Sequence, residues 1–334
     1  MSAENVAAII LTYEDVEKTM NCVKAVHNQT EVPRRIILCD NGSGNEIADE
    51  IFQKWIEFTQ EQNLDSPVEV YENDRSGANF IFLRLEENKG VATGFNEALR
   101  FVLYDKECEF FWLMHNDTEP ENYVLSALLQ HLGDESEKKI GLVGSTLFYK
   151  ESGLQECAAG GYWRKWVGKA KNLDCGFDKF AHTERKEIVR QLDYVCGASF
   201  LVTRELINAI GLFEERLCMF YEDVEYGLRA KKAGFALNWA PGARVLHYAP
   251  NAVQLTPLLN ITDDPELSAE RDYFYIRNRF YIMRKENSFT IFLSFIFIFT
   301  LFFSRKFKGY KGRIKPICQA VFDGINNKLY KTLK

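Results

Sequence analysis

No C-x-x-C pair and no regular cysteine spacing occurs in this chain, although it holds eight cysteines among 334 residues. A zinc site and a disulfide framework are therefore not indicated, and the thiols read as reduced, as in a cytosolic protein. G-x-G-x-x-G and G-x-x-x-x-G-K-[ST] are also missing, so dehydrogenase and ATPase readings lose their best support. There is no basic excess: a formal net charge of -6 argues against a nucleic-acid binder that works by broad phosphate neutralisation. The opening stretch "MSAENVAAIILTYEDVE" lacks a basic leader, and Thr12, Tyr13, Glu14 and Asp15 interrupt its apolar run, which marks a first strand rather than a signal peptide. No internal repeat is visible.

What the chain does have is 46% hydrophobic residues, enough for a substantial core in one large domain or two smaller ones. Near the end, "FTIFLSFIFIFTLFF" (289–303) carries no charge. As a helix it would reach about 22 Å, short of the roughly 30 Å hydrocarbon layer. Arg305, Lys306, Lys308, Lys311, Arg313 and Lys315 follow it, a cluster suited to anionic cytoplasmic lipid. A buried core helix is the alternative, but the separation of apolar and basic blocks favours membrane attachment. The expected organisation is a catalytic-type α/β domain over 1–260 and a helical, basic and apolar membrane-associating region over 261–334.

The order of elements predicts a parallel sheet with helices on both faces. Strands are expected at 6–12, 35–39, 80–85 and 110–114 and from about 140, separated by helices at 14–28, 46–62 and 91–104. Residues 150–190 read as an irregular insertion or a pair of hairpin strands. Strand and helix return in "LDYVCGASFLVTRELINAIG", followed by the helix "EDVEYGLRAKKAGF" and the strand "ALNWAPGARVLHY".

The segment "FFWLMHNDTEP" concentrates the functional question. Phe110 to Met114 form an unbroken apolar block, as in a strand buried on both faces, and His115, Asn116 and Asp117 stand at its carboxyl end. Open α/β sheets bind ligands at that end. Turn and acidic residues close the other strands too: Thr12 and Tyr13 after the first, "CDNGSGN" after the second, "ENKGVATGFN" after the third. Their convergence predicts one crevice. Taken alone, Asp40 reads equally as a turn cap, and Glu222 and Asp223 as acids favoured at a helix N-terminus or as a general base. Asp117 and His247 suit a divalent Mn2+ or Mg2+ carrying a diphosphate, whereas His247 alone reads as a satisfied core histidine. Arg229 reads as a phosphate contact or a partner of Glu225. Trp163 and Trp166 read as aromatic stacking platforms or as core residues of the insertion.

Six ordered blocks, from "IILTYEDVEKTMNCVKAVHNQTEVPRRIILCDNGSGN" through "ENKGVATGFNEAL", "FFWLMHNDTEP", "CGASFLVTRELINAIGLFEE" and "FYEDVEYGLRAKKAGF" to "ARVLHY", resemble the family-2 glycosyltransferases of the GT-A fold. Within that family the chain is similar to rhamnosyltransferase-like and galactofuranosyltransferase-like members that build bacterial surface polysaccharide. The resemblance implies that Asp117 and His247 bind the metal, with His115 standing where the family has its first Asp and Asn116 in the variable middle. It implies a nucleotide pocket of Thr12, Tyr13, Glu14, Asp40 and the adjoining Asn41, and a donor grip by Asn88, Lys89, Gly90 and Asn96. Asp223, beside Glu222, takes the place of the catalytic base. The implied activity is inverting transfer from a nucleoside-diphosphate sugar, TDP-rhamnose or UDP-galactofuranose, to a glycan or polyprenyl-linked acceptor at the inner face of the cell membrane. The rival readings are a nucleotidyltransferase and a catalytically silent glycan-binding scaffold.

Overall fold

The computed structural model describes residues 1–71, 75–134, 138–176, 184–248, 265–286 and 314–329. Its centre is a twisted sheet built from β1 (Val6–Thr12), β2 (Arg35–Asp40), β3 (Val68–Tyr71), β4 (Phe80–Arg84), β5 (Phe110–His115), β6 (Thr118–Pro120), β7 (Ile140–Tyr149), β12 (Ser199–Thr203) and β13 (Ala236–His247). The order across the sheet is β3-β4-β2-β1-β5-β12-β7-β13-β6, with β12 and β6 antiparallel to their neighbours and the other pairs parallel. The sequence expectation omits β3 and β6, which are too short to show a period of their own.

Alternate residues of the parallel strands enter different cores, as a period of two requires. Ala7, Ile9 and Leu11 of β1 pack on Phe95 and Leu99 of α3 (Val91–Val102). Val6, Ala8 and Ile10 face Val23 of α1 (Val16–His27) and Trp55 of α2 (Asn45–Glu61). The same split places Phe111 and Leu113 of β5 on one side and Trp112 and Met114 on the other. A large apolar side chain buried this way contributes roughly 1.5–3 kcal/mol, so both faces of β5 are committed to the core. Covering the sheet's second half are α4 (Val124–Leu132), α5 (Arg185–Gln191) and α6 (Arg204–Ile210).

Hairpins build most of the described part of the stretch from 150 to 190. β8 (Gln155–Ala158) runs antiparallel to β7, and β9 (Gly160–Arg164), β10 (Lys169–Asn172) and β11 (Tyr194–Val195) form a small antiparallel sheet. Trp163 lies inside it, edge-to-face on Tyr221 with ring centroids 5.8 Å apart, while Trp166 is exposed on the β9–β10 turn. Of the two tryptophans, only Trp166 therefore offers a free face.

The helix α7 (Glu222–Lys232) starts from a distorted turn: Cys218, Phe220 and Tyr221 all have left-handed φ, between 64° and 68°. That conformation costs non-glycine residues on the order of 1–3 kcal/mol each, so something must hold it. The next helix, α8 (Pro265–Glu286), does so. Asn278 Nδ2 donates to the carbonyls of Leu217, Met219 and Phe220 at 2.7–2.9 Å, and Arg277 donates to those of Arg216 and Leu217. Tyr273, Phe274 and Phe280 of α8 share one apolar cluster with Leu217, Val224 and Leu228, to which Ile317 of α9 (Ile314–Ile325) also belongs. Among the described residues no helix is long and apolar enough to cross a membrane. The run 289–303, and the basic cluster as far as residue 313, lie outside the described residues.

Replacing Asn278 by Ala would strand buried carbonyls in the strained turn. The unfolding free energy is expected to fall by about 2–4 kcal/mol, read from urea titration followed by far-UV circular dichroism.

Candidate active site

The carboxyl ends of β1, β2, β4 and β5 open on one side of the sheet. At β2, Asp40 is fully buried; its Oδ2 accepts the Ser43 N–H at 3.2 Å, while Oδ1 has no hydrogen-bond partner among the described residues. Burial raises the Asp40 pKa against the opposing hydrogen bonds from Ser43. Beside it, Asn41 Nδ2 donates to Asn88 Oδ1 at 3.2 Å and to Gly90 O at 3.3 Å, and its Oδ1 is also unpartnered. Tyr13 and Glu14 stand exposed at the mouth, and the Glu14 N–H donates to Ser43 Oγ at 2.8 Å. These residues make a buried carboxylate in a shallow, amide-rimmed recess.

Gly90 is required by geometry. Its φ is +93°, and a Cβ there would lie 2.5 Å from the Cys218 carbonyl oxygen, which accepts the Val91 N–H at 2.8 Å. The loop Asn88–Gly90 is thus tied directly to the distorted turn that leads into α7. Lys89 is half-buried on the same loop.

Three expected donor contacts are instead used inside the protein. Asn96 donates to Phe213 O and Glu215 Oε1 and accepts the Phe213 N–H, all within 3.0 Å, so it fastens α3 to the segment before α7. Thr12 Oγ1 lies 2.6 Å from Thr19 Oγ1, and Asn116 Nδ2 donates to both hydroxyls, which locks β5 to β1 and α1. Buried side chains with their hydrogen bonds already made cannot also grip a ligand without breaking them. In this structure Thr12, Asn96 and Asn116 serve the framework through these bonds.

Past β5 the chain turns sharply into β6, whose pairing with β13 places His247 opposite Thr118. That register carries His247 to Asp117: Asp117 Oδ1 lies 3.4 Å from His247 Nε2, and the Tyr248 N–H donates to Asp117 O at 2.8 Å. The other ring nitrogen, Nδ1, is 2.7 Å from Glu156 Oε2 on β8. Burial works to raise the Asp117 carboxyl, but His247, with a smaller contribution from His115, outweighs it and holds the group at about 2. For His247, burial opposes charge, yet the two flanking carboxylates raise its pKa well above the usual value. His115 stacks on Phe95 with centroids 5.7 Å apart, and burial lowers its pKa, so the ring is neutral with Nε2 unpartnered among the described residues.

A divalent cation fits this pair. Asp117 Oδ1 is buried without a hydrogen bond and faces an imidazole nitrogen, a hard carboxylate and a borderline donor aimed at one point. No cluster of three His, Cys, Asp or Glu side chains that could hold a metal is present among the described residues, so a cation here would keep open positions for ligand oxygens.

The acids of α7 reach the same region through two consecutive residues. Gly197 N–H lies 3.3 Å from Asp223 Oδ2, and the next carbonyl, that of Ala198, accepts the His115 N–H at 3.1 Å. Asp223 Oδ1 accepts the Val224 N–H at 2.7 Å. Burial raises Asp223 to about 6, while burial and the charge of Asp223 push buried Glu222 still higher. The two carboxyls therefore titrate as a pair that favours a single negative charge, which leaves one carboxylate oxygen able to accept a proton. Arg229 is spent on Glu225 and on the carbonyls of Ile210 and Leu212, the structural one of its two readings.

Residues 7–152 match the sequence model of the family described as Glycosyl transferase family 2. Over that segment the chain carries a glycosyl transferase family 2 domain. The N-acetylglucosaminyl-diphospho-decaprenol L-rhamnosyltransferase of Mycobacterium tuberculosis is 35% identical to this chain over 68 residues, 20% of this chain and 22% of that protein. The chain thus matches about a fifth of the length of that relative. The dTDP-rhamnosyl transferase RfbF of Shigella flexneri is 21% identical over 283 residues, 85% of this chain and 81% of RfbF. Among solved structures, the mannosyltransferase PcManGT from Pyrobaculum calidifontis, in complex with GDP-Man and Mn2+, superposes with a TM-score of 0.53 at 12% identity, covering 98% of this chain and 88% of that one. At that identity the likeness shows the fold, which is GT-A.

Glu156 and Gly197 had no signal in the sequence, one lying in an insertion without period and the other within a strand-like run. Gly90→Ala would force a Cβ against the Cys218 carbonyl at a left-handed φ. A loss of about 1–3 kcal/mol in stability is expected from chemical denaturation.

Proposed function

We propose that this chain is an inverting glycosyltransferase that moves rhamnose from TDP-rhamnose to a hydroxyl of a glycan or polyprenyl-linked glycan in cell-surface polysaccharide synthesis. The observation that carries the reading is the Gly197–Ala198 link, which joins a carboxylate able to accept a proton, Asp223, to the end of β5, where Asp117 meets His247 of β13. The choice of rhamnose over galactofuranose rests on the likeness to the two rhamnosyl transferases of Mycobacterium tuberculosis and Shigella flexneri.

In this reading Asp40 Oδ1, buried and unpartnered, accepts the imide N–H of the pyrimidine base. Neutral His115 offers Nε2 to a ribose hydroxyl. Asp117 and His247 would hold a divalent cation, Mn2+ or Mg2+, whose charge neutralises the departing nucleoside diphosphate. Asp223 takes the proton from the acceptor hydroxyl as that oxygen attacks the anomeric carbon from the face opposite the diphosphate, so the configuration inverts in one displacement. Glu222 remains protonated beside it and limits negative charge in the buried pair. The exposed face of Trp166 is suited to the acceptor. We also place the protein in the cytoplasm at the inner face of the cell membrane, on the strength of its eight free cysteines and the apolar and basic blocks that follow α8 in the sequence.

Assay with TDP-rhamnose, Mn2+ and a lipid-linked acceptor tests this. Asp223→Asn is expected to lower kcat by about 10²–10⁴-fold while leaving donor binding by calorimetry within a few fold. A variant that keeps full activity would eliminate Asp223 as the base, and a wild type that binds glycans but transfers nothing would favour the silent scaffold. The base acts only when deprotonated, and its pKa is raised to about 6. The logarithm of kcat/KM should therefore climb with unit slope below pH 6 and level off above it, a break missing from any residual Asp223→Asn activity.

A further inference from the structure

The contact between His247 and Glu156 has no part in the transfer chemistry above. We propose that Glu156 is a positioning residue for the metal site, holding the His247 ring in the one tautomer and orientation that presents Nε2 to a cation beside Asp117. This inference rests on the metal reading of the proposed function and adds a residue to it.

The argument is geometric. The two nitrogens of one imidazole face two carboxylates at unequal distances: Nδ1 is 2.7 Å from Glu156 Oε2, and Nε2 is 3.4 Å from Asp117 Oδ1. The shorter contact is a hydrogen bond and the longer is not, so Glu156 and not Asp117 orients the ring. A carboxylate only accepts, hence Nδ1 keeps a proton, and a cation beside Asp117 would take Nε2 by displacing the second proton of the ring. Side chains of His247 and Glu156 are each 12% exposed, so water does not readily replace the contact. The backbone supports it from both sides. β8 lies antiparallel on β7, β7 is paired in register with β13, and the Lys150 N–H donates to the His247 carbonyl at 2.9 Å. Glu156 therefore approaches His247 from the side away from Asp117, as a partner that orients a ligand rather than as a ligand itself. Such outer partners of a metal-bound histidine fix its tautomer and raise its basicity.

The test is Mn2+ binding to the full-length protein in the presence of TDP, followed by the loss of the free Mn2+ signal in electron paramagnetic resonance. Glu156→Ala is expected to weaken Mn2+ by about 10–100-fold, and Glu156→Gln, whose amide oxygen still accepts the Nδ1 proton, to recover most of that loss. His247→Ala serves as the reference for loss of the ligand. If Glu156→Ala binds Mn2+ as tightly as the wild type while His247→Ala does not, the positioning role is overturned and the metal reading stands. If the wild type itself binds no Mn2+ with TDP, the metal reading falls and takes this inference with it. A measurement on the wild type alone is independent of any variant's folding. In Mg2+-loaded protein labelled with 15N-histidine, the His247 ring should show its proton on Nδ1, and a proton on Nε2 instead would overturn the proposal.

Discussion

A strand buried on both faces can place polar chemistry only at its ends, and β5 is such a strand. Phe111 and Leu113 belong to one core, Trp112 and Met114 to the other, and the first side chains free of that demand are His115, Asn116 and Asp117. The rest of the site is arranged around this constraint. Asn116 spends its amide on Thr12 and Thr19, which holds the end of β5 against β1. The chain then reverses into β6, and the pairing of β6 with β13 delivers His247 to Asp117 from a position 130 residues further on. Two hydrophobic layers thus determine where a carboxylate and an imidazole can meet.

The helix that carries Asp223 is positioned by a second device, and its cost is visible in the backbone. Three left-handed residues in four, Cys218, Phe220 and Tyr221, precede Glu222. Strain of this kind persists only where neighbours over-determine it. Here the neighbours are Gly90, whose lack of a Cβ admits the Cys218 carbonyl, and Asn278 and Arg277 of α8, which take up the carbonyls from Arg216 to Phe220. The loop proposed to meet the donor and the helix that carries Asp223 are therefore fastened at one point, the Cys218 carbonyl and its neighbours.

Much of this was legible in the sequence, for reasons that differ from residue to residue. The strands β1, β2, β4 and β5 were visible because strands buried on both faces are short, unbroken apolar runs, and the convergence of their ends followed from parallel topology. Asp117 and His247 were named from residue chemistry and resemblance, and they do meet. Glu156 was not legible: it sits in "LQECAAGG", a stretch with no period, and its importance comes from a hairpin that only long-range pairing defines. Asn96 and Asn116 pose a different problem. An asparagine near a strand end looks the same in sequence whether its amide faces a ligand or closes a gap in the framework; only the partners tell, and here Phe213, Glu215, Thr12 and Thr19 are the partners. The clamp by α8 was hidden for a similar reason, because a basic, aromatic helix reads as a surface until Arg277 and Asn278 are seen to be fully buried.

The electrostatics of the two acidic centres run in opposite directions, and that opposition is what allows one fold to supply both functions. At Asp117 the nearby imidazoles overcome burial and keep the carboxyl ionised far below neutrality, the state a metal ligand needs. At Asp223 no cation is among the groups that shift it; burial prevails over the hydrogen bonds from Gly197 and Val224, and the group is raised toward the range where it can take and release a proton. Glu222 strengthens the contrast, since a second buried carboxyl beside Asp223 disfavours a second negative charge in the pair. Exchanging the two environments would defeat both roles: a cation beside Asp223 would make it too weak a base, and an unpaired Asp117 would hold a proton where a metal must bind. The segment Cys196–Ala198 keeps the centres adjacent while giving neither a shared counter-ion, contributing only a backbone N–H to one and a carbonyl to the other.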